Sequence, residues 1–460
     1  MTAAPTALAE ILQRAGMNPR QLAAAVNAWL EGRGLGARRI DPTAPYAWVR
    51  HGYKPYEPLP SVVAAVLSEQ LGYAIPVDQL WPDRQAAAVS AASGLGQGTT
   101  IDGMLASLSE LTTVSTGKHA DVTAASGPDL AAVVLDGLHV TLTLTRRGAS
   151  RERVLAPQVE LIGAHVAALR KLDDRHGGGV LSLRYVTSEL RNILDLVQSA
   201  DYEPAVGREL LTAVADLAQL VGWVHFDAHR YGAAERYLLL SERVARGLGE
   251  LGRAANAIGM LAYISAFAGH GREAVQIATA AERSCPSDPV LRARIVGRVA
   301  TAAAAAGDLA EFREASEKAR ELLSSAQDSP TYLYYMEPAQ LIAEAGQALV
   351  VLGESATIYR KRLLGEAIAL LAPISQAGAR PEYPRSAMLH GVFLTKAYLL
   401  RGEVEPAIGA ARATLSRLSE VQSIRGITYL RRLRPAFARR SRSPVVSEFL
   451  PEFDKALMHR

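Results

Sequence analysis

A helix-forming segment recurs five times in the second half of the chain. Its copies span 231–245, 271–283, 307–323, 365–374 and 402–415. Alignment brings one residue of each copy into an equivalent position, with steps of 40, 38, 55 and 40 residues between Ala234, Ala274, Phe312, Ala367 and Ala407. Each copy follows another helical stretch of comparable length. Repeated helix pairs bury their apolar faces by stacking on one another, so the pattern predicts one extended helical domain over 155–460.

Strong helix formers fill most of the remaining sequence, and β-branched alternation is confined to 139–145. We therefore expect an all-α protein. The 55-residue step predicts an insertion around 353–362. A final helix pair, 423–440 and 443–460, is expected to cap the stack.

Breaker residues divide the chain into three predicted regions. Residues 1–84 hold short helical runs separated by Gly and Pro, and 85–154 form a Ser/Gly/Ala-rich stretch that we interpret as a linker with limited local order. Residues 155–460 form the repeat domain.

A single cysteine, Cys285, rules out an internal disulfide framework and a Cys-based zinc site. Cys285 precedes Pro286 at the end of a predicted repeat, so we interpret it as a packing residue. The N-terminus lacks the features of a secretory signal, and no apolar run reaches about 18 residues. These observations predict a cytoplasmic protein without a membrane span.

The first 84 residues contain three predicted helices. Asn18 can cap a helix with Pro19 at its first position, and the helix places Leu22, Val26 and Leu30 on one face. A second, short helix over 41–52 would be capped by Asp41 or Thr43 and ended by Gly52. The third covers 60–72 and ends at another Gly.

Two helices joined by a turn, with a short second helix, form the geometry that places a recognition helix in the major groove of DNA. Residues 33–54 carry five basic side chains and one acidic one, whereas the whole of 1–84 carries eight basic and seven acidic. The positive charge is therefore focused on the predicted recognition element.

The stretches 45–55 ("PYAWVRHGYKP"), 60–73 and 77–82 resemble the N-terminal end of lambda-repressor-like (XRE-type) helix-turn-helix regulators of high-GC bacteria. Three residues separate Trp48 from Gly52, one more than the usual pattern. The helix pairs resemble tetratricopeptide repeats, with Gly222 and Pro286 at matching positions. The blocks 169–179, 220–238 and 331–353 are similar to parts of regulators with such a C-terminal half.

This resemblance implies a small helix-turn-helix domain followed by a right-handed α-solenoid, a double-stranded DNA operator and a homodimer. Some relatives restrain sporulation and antibiotic production. The repeats would sense a small-molecule or peptide effector, mediate dimerisation, or do both.

The predicted DNA-binding residues fall into two sets. Thr43, Tyr46 and Arg50 share one face of the short helix and would meet the bases or phosphates. The positions that would face the sugar-phosphate backbone are Arg20, Gln21, Arg38, Arg39, His51 and Lys54. The alternative is a solvated basic turn. Trp48 is expected in the core.

A ligand pocket in the repeats would use Trp223, His225, Tyr263, Tyr335 and Glu337. His225 and His229 have the i, i+4 spacing of metal ligands, but no HExxH motif accompanies them. The run 173–179 ("DDRHGGG") is explained by a polar helix end and a turn, with a ligand role left open.

Other functions have less support in the sequence. Residues 93–98 and 115–120 fail the requirements of dinucleotide and phosphate loops, so we expect neither an enzyme nor a cofactor. A protein-interaction adaptor or peptide receptor is the competing hypothesis, which the presence of only four Asn weakens. The seven arginines between Arg425 and Arg442 are interpreted as a solvated helix face rather than a second polyanion contact.

Overall fold

The computed structural model describes residues 6–32, 39–56, 58–71, 75, 77–81, 100–114, 128–138, 153–177, 179–356, 358–375 and 383–458. Over these residues the regular elements are helices, and the one β-type pairing is an isolated bridge between Arg153 and Asp201. The predicted all-α class is confirmed. The chain divides into two compact units, Met1–Ala91 and Ala92–Arg460, which are described separately.

The first unit contains α1 (Ala7–Arg14), α2 (Pro19–Glu31), α3 (Ala44–His51), α4 (Leu59–Leu71) and α5 (Val77–Leu80). Asn18 and Gln21 form a reciprocal cap at the start of α2, and Gly52 ends α3 in the left-handed region at φ 70°. The core is formed by Leu8, Ile11, Leu22, Val26, Leu30, Trp48, Val63, Leu67, Leu80 and Trp81.

Two helices occupy the region predicted as a linker: α6 (Ile101–Val114) and α7 (Pro128–Gly137). The carbonyl of Thr112 in α6 accepts a hydrogen bond of 2.8 Å from Arg191. The carbonyl of Val133 in α7 accepts one of 2.9 Å from Arg243. This region therefore holds more order than the sequence predicted, because its helices pack on other helices of the second unit. The alternating stretch 139–145 lies outside the described residues.

The second unit continues with α8 (Ala156–His176) and α9 (Val180–Ser199), followed by six consecutive helix pairs. The pairs are α10 (Pro204–Asp227) with α11 (Tyr231–Gly247), α12 (Leu251–Phe267) with α13 (Gly271–Arg283), α14 (Pro289–Ala306) with α15 (Leu309–Ser324), α16 (Pro338–Ser355) with α17 (Arg360–Ser375), α18 (Pro384–Arg401) with α19 (Val404–Ser416), and α20 (Ile424–Ala438) with α21 (Pro444–Leu457). Successive first helices, from α12 to α20, also pack on one another.

The equivalent positions of the five copies are all buried, in the second helix of each of the first five pairs. At the first crossing, a Cβ on Gly222 would lie 2.9 Å from Leu238 and 3.1 Å from the carbonyl oxygen of Ala234. Small residues such as Gly222 and Ala234 let the two helices of this pair approach closely.

The predicted insertion around 353–362 is wrong. Four residues, 356–359, join α16 to α17, which is a short connection. The additional length lies in 325–337, between α15 and α16, and includes a 3-10 turn at Thr331–Leu333. The 55-residue step from Phe312 to Ala367 contains both 325–337 and 353–362. Its length alone could therefore not show which of the two segments holds the additional residues.

The early and late helices of the second unit meet. α8 packs on α18, and α10 packs on α20. The backbone N–H of Gln422 donates to the carbonyl of His176 at 2.7 Å. Gly177, at φ 82°, allows this approach, because a Cβ there would lie 2.8 Å from the carbonyl oxygen of Gln422.

Candidate functional site

The first candidate site is the surface of α3 in the first unit. Tyr46 is 39% exposed, and Arg50 and His51 are also exposed, whereas Trp48 on the opposite face is buried. Trp48 packs edge-on against Trp81 with ring centroids 6.4 Å apart. This contact fixes the rotation of α3, so that its polar face points away from the core.

The other predicted DNA-contacting residues are also exposed where the structure describes them. Some of them already bond within the protein. The hydroxyl of Thr43 donates to Asp41, the side-chain carbonyl of Gln21 accepts from the backbone of Asn18 at 2.8 Å, and Arg39 pairs with Glu31 at 2.7 Å. Arg20 and Lys54 are exposed. Arg38 lies outside the described residues.

The second candidate site is a cleft in the second unit, of about 870 Å³ including its open mouth. Helices α8, α10, α12, α14, α16, α18 and α20 all contribute to its walls. Five arginines and three carboxylates line it: Arg170, Arg294, Arg298, Arg385 and Arg425 with Asp173, Asp174 and Glu344. Aromatic rings complete the lining, with Trp223, Tyr263, Tyr332, Tyr334, Tyr335 and Tyr383.

Three of the five residues predicted for a ligand pocket line this cleft, namely Trp223, Tyr263 and Tyr335. The other two do not. His225 is fully buried and stacks on Tyr237 with centroids 5.3 Å apart, and Glu337 is an exposed residue preceding α16. His225 is turned away because its helix presents Trp223 to the cleft.

Glu344 is the centre of one charged cluster in the cleft. Its two oxygens accept hydrogen bonds from Arg294 at 2.8 and 2.9 Å. Gln340 adds a bond of 2.8 Å, and Arg298 reaches one oxygen at 3.5 Å. Both bonds from Arg294 come from the same nitrogen, Nη1, which lies between the two carboxylate oxygens.

Asp227, at the end of α10, is the centre of a second cluster. Its Oδ1 accepts hydrogen bonds from Arg385 at 3.0 Å and from Ser423 at 3.1 Å, and Arg425 Nε lies 3.3 Å away. Arg385 also lies 3.4 Å from Asp173. The cluster therefore joins α8, α10, α18 and α20.

Burial and charge act in opposite directions on these carboxyl groups. Desolvation raises the pKa of Asp173 to about 7, although Arg385 opposes the shift. Burial alone would also raise the pKa of Asp227, but Arg385 and Arg425 hold that pKa below its ordinary value. At neutral pH the Asp227 carboxylate is thus ionised, and Asp173 is partly protonated.

Sequence analysis missed the charged residues of the cleft. This holds for Arg294, Arg298 and Glu344, which lie in otherwise apolar helical stretches, and that interruption was the available signal. The run 173–179, for which a ligand role was left open, does contribute Asp173 and Asp174 to the cleft. The interpretation of the C-terminal arginines as a solvated face is wrong for Arg425, which is only 2% exposed. Arg425 lies in the first turn of α20 and points inward over Trp223.

The possible metal pair at 225 and 229 does not lie on one helix face. α10 ends at Asp227, and His229 follows it in the left-handed region at φ 59°. Burial lowers the pKa of His225 to about 3 and that of His229 to about 4. No group of three or more His, Cys, Asp or Glu side chains that could hold a metal ion occurs among the described residues.

Comparisons with known proteins bear on the first unit. Residues 8–80 match the model of a family described as the SP15 N-terminal domain. No curated protein matches the chain. In the described part of the chain, each helix is too short or too polar to cross a membrane. The family match covers α1 to α5 and supports this segment as a distinct unit.

Proposed function

We propose that this protein is a cytoplasmic DNA-binding transcription regulator, whose first unit binds an operator and whose second unit senses an effector. The observation that carries the proposal is the exposed polar face of α3, with Tyr46 and Arg50 directed outward and Trp48 anchored in the core. In this proposal α2 and α3 form the helix-turn-helix, and α3 enters the major groove.

Recognition would combine two kinds of contact. Arg20, Lys54 and neighbouring polar groups neutralise phosphates and supply most of the affinity. Arg50 donates to a guanine edge or a phosphate, and Tyr46 packs beside it. A single eight-residue helix reads few base pairs, so we propose that a homodimer binds two half-sites.

The second unit supplies the regulatory half of the proposal. Its helices pack in consecutive pairs, which supports reading them as tetratricopeptide-like repeats. Its cleft carries aromatic and charged side chains from seven helices. An effector bound there would favour one arrangement of the pairs over another and so change the affinity for the operator.

Fluorescence anisotropy tests the DNA-binding half. Labelled duplexes from the protein's own promoter and from unrelated sequence are titrated with the full chain at several salt concentrations. We expect preference for the promoter, steep weakening with salt, and a loss of about tenfold or more in Arg50→Ala. Arg14→Ala is the matched control, since it removes the same charge from an exposed position on α1.

Two results would contradict the proposal. One is an Arg50→Ala protein that binds the promoter like the wild type. The other is a lack of preference for the promoter followed by a genome-wide site selection that returns only non-specific binding. The latter result would favour the interaction-adaptor hypothesis.

A further inference from the structure

Arg298 is a buried cation whose hydrogen-bonding capacity is largely unused. It is 2% exposed, and its one hydrogen bond among the described residues is the 3.5 Å contact with Glu344. Within the same residues its Nε has no hydrogen-bond partner. The guanidinium lies 4.2 Å from the centroid of the Tyr263 ring, which stabilises the charge but accepts none of its N–H groups in the plane.

Arg425, which enters the cleft from α20, is a second buried arginine with an unused donor. It is also 2% exposed, and in the part of the chain that the structure describes its Nε lacks a hydrogen-bond partner. It lies 5.2 Å from the ring of Trp223 and 4.6 Å from that of Phe226. The nearest acceptor, Asp227 Oδ1, already accepts from Arg385 and Ser423.

The carboxylates of the cleft do not supply acceptors for all the N–H groups of these two arginines. Glu344 already accepts from Arg294 and Gln340 as well as from Arg298. Asp173 and Asp174 lie 3.4 and 3.8 Å from Arg385, and burial raises the pKa of both carboxyl groups. A buried donor without an acceptor is costly, and an acceptor brought by a ligand would remove that cost.

Two aromatic rings, whose planes are inclined at 46° to each other, lie against the two arginines. Trp223 and Tyr263 lie with centroids 5.9 Å apart and belong to neighbouring helices, α10 and α12. Trp223 is partly exposed to the cleft, as is Tyr335 on the opposite wall. A planar group stacks favourably on such rings.

We propose that this cleft binds a small aromatic anion, whose carboxylate or phosphate accepts hydrogen bonds from Arg298 and Arg425 and whose ring packs against Trp223 and Tyr263. This inference rests on the effector half of the proposed function and names the class of the effector. Because Arg425 also contacts the Asp227 cluster, the bound anion would act on the junction between α10 and α20.

Isothermal titration calorimetry of the full chain without DNA tests this proposal. The probes are benzoate and phenyl phosphate, with benzyl alcohol as the neutral analogue of the same size. We expect one or both anions to bind the wild type at millimolar concentration or below, and benzyl alcohol to bind at least tenfold more weakly. The tighter of the two anions identifies the acceptor group.

Two variants locate the site. Arg298→Met keeps the volume but removes the donors, and should weaken anion binding at least tenfold. Arg292→Met, on the same helix but outside the cleft, should bind like the wild type. Arg425→Met gives a second test if Arg298→Met fails to fold, which its thermal unfolding would reveal.

The proposal is overturned if neither anion binds the wild type at about 10 mM, or if the variants in the cleft bind as tightly as the wild type. Anisotropy of the same preparation with promoter DNA and no probe is measured in parallel. Its failure would contradict DNA binding and leave the calorimetric result standing, so the two proposals fail separately.

Discussion

Asn27 and Ile40 exchange two hydrogen bonds across the connection between α2 and α3. The Asn27 amide donates to the carbonyl of Ile40 at 3.0 Å, and the N–H of Ile40 donates to the Asn27 side-chain oxygen at 2.8 Å. Asn27 is 9% exposed. One side chain of α2 thereby fixes the chain just before α3 begins.

Asn27→Leu should destabilise the first unit. The substitution keeps the volume but leaves both backbone groups of Ile40 without a partner, which costs about 1–3 kcal/mol. Thermal unfolding followed by tryptophan fluorescence measures the effect, because Trp48 and Trp81 lie in this core. Gln13→Leu, at an exposed position of α1, is the control. An unchanged midpoint for Asn27→Leu would show that α3 is held by other contacts.

Replacing two helical glycines with alanine should change the free energy of unfolding in opposite directions. A Cβ on Gly163 in α8 would meet no neighbouring atom within 4 Å. Gly163→Ala should therefore raise the free energy of unfolding by about 0.5–1 kcal/mol through helix propensity. Gly222→Ala should destabilise by about 1–3 kcal/mol, because the new methyl group collides with Leu238 and the backbone of Ala234. Chemical denaturation of both variants measures the difference; shifts of the same sign would contradict the close crossing.

Arg385→Met should lower the free energy of unfolding. The side chain is 3% exposed and pairs with Asp227, which is fully buried. Arg385→Met leaves Asp227 with Arg425 as its remaining cation and should cost about 3–5 kcal/mol. Adding Asp227→Asn should restore part of that loss. Denaturation of the single and double variants completes a double-mutant cycle. Arg362→Met is the control: the Arg362 side chain is 73% exposed in its ion pair with Glu366, so the substitution should cost less than about 1 kcal/mol. Additive losses from the two buried substitutions would contradict direct pairing.

Acid should destabilise the second unit partly through His225. Its folded-state pKa is about 3, lowered from 6.5 first by burial and then by Arg230, so the unfolded chain binds the additional proton. The contribution to stability is complete above pH 6.5 and is lost as the pH falls towards 3, by up to about 1.4 kcal/mol per pH unit. His225→Phe should reduce this acid sensitivity. Melting temperatures of both proteins from pH 7 to 4 provide the measurement, and parallel curves would be the contrary result.

Local sequence signals predicted the helices well. The caps at Asn18 and Gly52 and the apolar face of α2 all depend on residues within a few positions of one another. Interactions at that range are encoded by spacing, so they can be derived without knowing the tertiary structure.

The cleft could be predicted only in part. Aromatic residues such as Trp223 and Tyr263 stood out, but Arg385 and Arg425 meet Asp227 across 158 and 198 positions of sequence. No periodicity connects residues so far apart. The inward direction of Arg425 depends on how α20 packs against α10, which is a property of the assembled helices.

The hydrogen bond between His176 and Gln422 limits how this protein can evolve. Repeat arrays commonly gain or lose whole units, because each unit contacts only its neighbours. Here the helices near both ends of the array bond to each other, so an extra pair inserted between them would pull His176 and Gln422 apart. Duplication or deletion of a unit would therefore break the array's closure, and we expect the number of helix pairs between these residues to stay constant while individual side chains diverge.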